Sequence, residues 1–137
     1  MSEELITPDN LTKEYLKSIF DAAFMDTCYD DDGDLKVKER INCFVLPDKD
    51  RKDRVRLMTM FGFKPDTSEL LRLQAVNRIN AGYLIVKANV AENDTLMFTW
   101  DIPIAGGITK KAFVLAVKRF CFIPHDAIDD CAKDVVV

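Results

Sequence analysis

The chain is poor in the residues that build metal and phosphate sites. It holds one histidine, His125, and its four cysteines, Cys28, Cys43, Cys121 and Cys131, include no CxxC pair, so a zinc site is not expected. Its five glycines form neither a GxGxxG nor a Walker A pattern, which removes the common nucleotide cradles. No apolar stretch approaches the ~20 residues of a membrane span. The acidic start MSEELITPDN lacks the basic and apolar segments of a signal peptide. A cytoplasmic, reducing setting with free thiols is therefore expected. Lys and Arg total 19 against 23 Asp and Glu, for a formal charge of −4, which weighs against a general nucleic-acid binder. The densest basic run, Lys49 to Arg56, is interleaved with Asp50 and Asp53 and reads as a solvated loop.

What is present describes one ordinary globular domain. Hydrophobic residues make up 48% of the 137 and charged residues 31%, enough for a self-sufficient core without a staple. Residues 1–11 read as a flexible lead-in and residues 12–137 as a single domain. From the cap Thr12, the residues Tyr15, Leu16, Ile19, Phe20, Ala23 and Phe24 recur at three- and four-residue spacing, predicting a helix over 12–25. The period then drops to two. Leu35 to Leu46 reads as one long strand or two short ones bending near Arg40, and a further strand runs from Val55 towards Gly62. A second helix is expected over 68–81, with Asp66 as its cap, Leu70, Leu73, Val76 and Ile79 as its buried stripe, and Gly82 as its left-handed stop. Strands over 83–90 and 95–102 should turn inward the rows Leu84, Val86, Ala88, Val90 and Leu96, Phe98, Trp100, Ile102. Thr109 caps a last helix to Phe122, which Pro124 ends or restarts, and the final valines are expected to fray. The order α-β-β-β-α-β-β-α, with short polar connections, predicts an α+β fold: a single antiparallel sheet of about five strands with helices packed on it.

Several constellations invite a chemical reading. Cys28, Asp30, Asp32, Gly33 and Glu39 fall on the calcium-loop template, but a thiol stands where the first hard oxygen ligand belongs and a strand follows where a helix should, so a tight Asp-Gly turn is favoured. Gly106 and Gly107 before a helix suit a close strand-to-helix turn better than an anion cradle. Cys121 and His125 lack a defined register and an orienting partner. No catalytic residue, cofactor-binding residue or metal ligand is assigned, and no cofactor is expected. Asn77 and Asn80 lie three apart at a helix end, where asparagine commonly satisfies local backbone. Leu71 and Ala75 add apolar width to that helix beyond its stripe. Leu71, Ala75, Asn77 and Asn80 are the candidate partner-binding residues.

The helix end Asn77-Arg78-Ile79-Asn80, the strand closing in Asp101-Ile102-Pro103-Ile104 and the turn Gly106-Gly107-Ile108-Thr109 resemble the YbjN-type domain of the bacterial sensory transduction regulator family, over Thr12 to about Phe122. The resemblance implies a type III secretion chaperone-like fold and a non-enzymatic bacterial regulator that binds a protein partner of unknown identity. Its alternatives are a secretion-type chaperone holding an unfolded effector segment and, third, an enzyme. It also implies a homodimer, since chaperones of that fold pair about two-fold axes; no nucleic-acid or membrane partner is expected, on the acidic charge and the lack of a membrane span.

Overall fold

The computed structural model describes residues 4–137. Three helices, α1 (Lys13–Ala22), α2 (Glu69–Gly82) and α3 (Lys110–Cys131), combine with eight strands: β1 (Leu5–Ile6), β2 (Asp26–Tyr29), β3 (Leu35–Lys38), β4 (Asn42–Pro47), β5 (Arg54–Gly62), β6 (Lys87–Val90), β7 (Thr95–Pro103) and β8 (Ile108–Thr109). The main sheet has six strands in the order β2-β3-β4-β5-β7-β6, all neighbours antiparallel, and β1 pairs separately with β8. The α+β class and the three helices are present as expected, though α1 ends at Ala22 and α3 runs past Phe122 to Cys131, and Leu35 to Leu46 does split into two strands near Arg40.

The count of about five strands is corrected to six, and the added strand is β2. The spacing extends the first helix to residue 25, but the chain leaves α1 after Ala22, turns through Phe24 at φ +61 and pairs Asp26–Tyr29 with β3. Four residues are too few to display a period of two. The Asp30–Gly33 turn joins this hairpin: Asp30 Oδ1 accepts from the backbone of Asp32 at 3.0 Å and of Asp34 at 2.9 Å, and Gly33 takes φ +82, where a side chain would be strained.

Alternation divides the sheet into two faces. Leu35, Val37, Cys43, Val45, Val55, Leu57, Thr59, Ala88, Leu96, Phe98 and Ile102 point inward and are buried. Against them pack Leu16, Ile19 and Phe20 of α1, Ala75 and Ile79 of α2, and Phe113, Val117, Phe120 and Cys121 of α3, with the Phe20 and Phe113 rings 5.6 Å apart. Trp100 is in the inner row but only half-buried, because β6 begins at Lys87 opposite Thr99 and leaves β7 unpaired on that side beyond it.

Further expectations change. The strand over 83–90 shortens to Lys87–Val90: Ile85 stands at φ +78 and the Val86 amide donates to the Leu84 carbonyl at 2.9 Å, which turns Leu84 outward to 82% exposure. Gly82 is not left-handed, and Ser68 rather than Asp66 caps α2, accepting from the Leu71 amide at 3.2 Å. Pro124 neither ends nor restarts the last helix. A stripe of buried residues, Phe120, Cys121, Pro124 and Ala127, runs through it and offsets the one lost backbone bond. The final valines are tied down: Val136 bridges Phe63, and the Lys64 amide donates to the Val135 carbonyl at 2.7 Å. The lead-in expected over 1–11 lies partly outside the described residues; within it, Leu5 and Ile6 pair with Thr109 and Ile108, and Ile6 is fully buried. This contact explains Gly107, at φ +86, where a Cβ would come within 3.0 Å of Leu5 Cδ1.

Candidate functional site

The second helix carries every candidate binding residue. Steps of three fall short of a 3.6-residue turn by about 60°, so the row Leu70, Leu73, Val76, Ile79 winds halfway round the helix. Ile79 therefore ends in the core while Leu70 and Leu73 face solvent, 64% and 50% exposed, and the expected single buried stripe does not form. Leu71, 46% exposed, stands beside them. Ala75, one turn beyond Leu71 and facing away from Leu70 and Leu73, is fully buried, so it seats α2 on the sheet rather than touching a partner. Leu70, Leu71, Leu73 and Asn77 share the outward half of the helix.

The Asn77-Arg78-Ile79-Asn80 motif resolves into separate duties. Asn80 reaches the edge strand β6: its Nδ2 donates to the Ala88 carbonyl at 3.0 Å and its Oδ1 accepts from the Ala88 amide at 2.8 Å. Ala88 opposes Phe98, and its backbone groups would otherwise face outward as an open strand edge. Arg78 donates through Nε and Nη2 to the Cys131 carbonyl at 3.1 and 3.0 Å, joining α2 to the electronegative end of α3. Tyr83, just past α2, donates its hydroxyl to the Asp130 carboxylate, and that bond pushes the phenol pKa up to about 12. Asn77 is exposed and makes no side-chain hydrogen bond among the described residues.

The structure separates the residues that suggested chemistry. Cys121 is buried beside Cys43, and the hydrogen bond between the two thiols together with burial drives the Cys43 pKa strongly upward, which favours an inert thiol. His125 instead places Nε2 3.1 Å from the Arg40 carbonyl and packs edge-on to Phe61. All four cysteines are free, and no group of three or more His, Cys, Asp or Glu among the described residues is arranged to hold a metal ion. No described helix is long and apolar enough to cross a membrane.

Fold and site together define a small α+β module whose outward features are surfaces. Residues 12–129 match the family YbjN, "Putative bacterial sensory transduction regulator", and the chain belongs to this family. A crystal structure of "YbjN, a putative transcription regulator from E. coli", is similar over 98% of this chain and 99% of that one, with a TM-score of 0.77 at 18% identity, and shows the shared fold. No curated protein sequence matches.

Proposed function

We propose that this chain is a non-enzymatic regulatory module that acts by binding protein, and that it pairs with a second copy through α2. The observation that carries the pairing is the trio Leu70, Leu71 and Leu73, each 46% exposed or more on the outward half of one helix. Leu70 and Leu73 lie about 60° apart on the exposed face and Leu71 flanks it on the other side, and such an apolar face suits a self-complementary two-fold seam. The family description supports regulation, and the four free thiols suit a reducing cytoplasm, where we place the protein.

Light scattering at micromolar concentration tests the seam. A mass of two chains that falls to one in Leu71→Asp, with circular dichroism unchanged, is the expected result. A single-chain mass throughout the concentration range defeats the pairing. Co-purification of a folded signalling protein from the native cytoplasm supports the regulatory role. Protection of an unfolded effector segment from proteolysis would favour the secretion-chaperone alternative instead.

A further inference from the structure

We propose that the bare face of the main sheet is a second docking surface, and that it takes an acidic amphipathic helix of a partner protein. The inference rests on the reading of the chain as a protein-binding module but uses a different surface from α2. An antiparallel sheet with one face in water should be apolar inside and polar outside. The outer positions of the central strands break that rule. Phe44 and Leu46 of β4, Met58 and Met60 of β5, and Met97 of β7 alternate with the buried Val45, Leu57, Thr59 and Phe98, so they lie on the face that the helices leave uncovered. The register sets Phe44 beside Met58 and Met60 beside Met97, which makes one continuous apolar strip. Methionine is adaptable and is favoured where a surface must fit a helical ligand.

Charge flanks the strip on both sides. Lys36 and Lys38 of β3 stand on one side of it and Lys87 of β6 on the other, with Arg54 and Arg56 at one end of β5. The carboxylates on this face are Asp26 and Asp101. Asp101 is held by Arg56 at 2.8 and 3.1 Å, whereas Lys36, Lys38 and Lys87 form no salt bridge among the described residues. A chain of net charge −4 thus presents a positive face around an apolar centre. The complement of that pattern is an apolar stripe bordered by acids on both sides. Strands about 4.8 Å apart make the three-strand strip about 10 Å across, which matches a helix roughly 10–12 Å wide, and leave the lysines of β3 and β6 to meet its flanks. A strand would add at an edge, and here the β6 edge is blunted by Asn80. Nucleic acid would pair with the lysines but leave Phe44 and the methionines unmatched.

The probe is a fluorescent helical peptide of about 20 residues with a leucine stripe and glutamates on both flanks, titrated by anisotropy against the full chain. Saturable binding is expected, weakened at high salt, and reduced about tenfold or more by Met58→Asp or by Lys36→Glu with Lys87→Glu, with circular dichroism confirming the fold. Phe44→Ser serves if Met58→Asp fails to fold. The same stripe flanked by lysines should bind about tenfold more weakly or worse. Absence of binding, equal binding of the lysine peptide, or tighter binding of single-stranded DNA overturns the proposal. Loss of peptide binding in Leu71→Asp, with Met58→Asp unaffected, would move the site to α2 and overturn the sheet face while leaving the protein-binding reading intact.

Discussion

Replacing Asn80 by alanine removes both hydrogen bonds that close the β6 edge. Ala88 is 3% exposed, so water does not freely replace the lost amide. A net hydrogen bond contributes about 0.5–1.5 kcal/mol, and a buried group left unpaired costs about 1–3 kcal/mol. Two groups of one residue lose their partner together at the sheet margin, and we expect Asn80→Ala to cost about 2 kcal/mol. With a urea slope of roughly 2 kcal/mol per molar, the unfolding midpoint falls by about 1 M. Asn80→Asp keeps the acceptor for the Ala88 amide but turns a carboxylate towards the Ala88 carbonyl, so it rescues little. Asn77→Ala, three residues away and outward, should change stability by less than about 0.5 kcal/mol. Urea unfolding gives the cost, and hydrogen exchange at the Ala88 amide localises it, since that proton should lose protection. An Asn80→Ala midpoint equal to that of Asn77→Ala, with Ala88 exchange unchanged, would refute the clamp.

Gly107→Ala should destabilise by about 1 kcal/mol or more, because φ +86 strains a side chain and Leu5 stands in its way, while Gly106→Ala, with open space around it, should be nearly neutral; thermal unfolding separates them. Phe98→Ala, in the core, should cost about 3–5 kcal/mol, and the half-buried Trp100→Ala less, about 1–3; equal costs in denaturant titrations would contradict the margin position of Trp100. Hydrogen bonding to Arg56 holds the Asp101 carboxyl below the usual carboxylate range. A depressed folded pKa contributes stability above about pH 4 that is lost as pH falls through the folded value. With Asp101 36% exposed, that contribution is under about 1 kcal/mol, and Asp101→Asn should slightly flatten the acid limb of stability against pH.

Local patterns in the sequence determined the element types, their order and most of the inner sheet face, because period and caps depend on neighbours along the chain. Thr12 and Thr109 are legible as caps since each needs only the amide three residues on, which they bond at 3.1 and 3.0 Å. The Asp-Gly turn is legible for the same reason. Whatever depends on distant partners was not. β2 exists because β3 is there to pair with it, and the final valines are ordered because the end of β5 offers unpaired backbone. Spacing alone could not choose the buried side of α2, where leucines surround the helix; contact with β6 and α3 buries Ala75 and Ile79 and leaves Leu70, Leu71 and Leu73 outside. The positive face was hidden for the same physical reason: its lysines and arginines lie on strands far apart in sequence, among acids that point elsewhere, and only the register of the sheet gathers them around Phe44, Met58, Met60 and Met97.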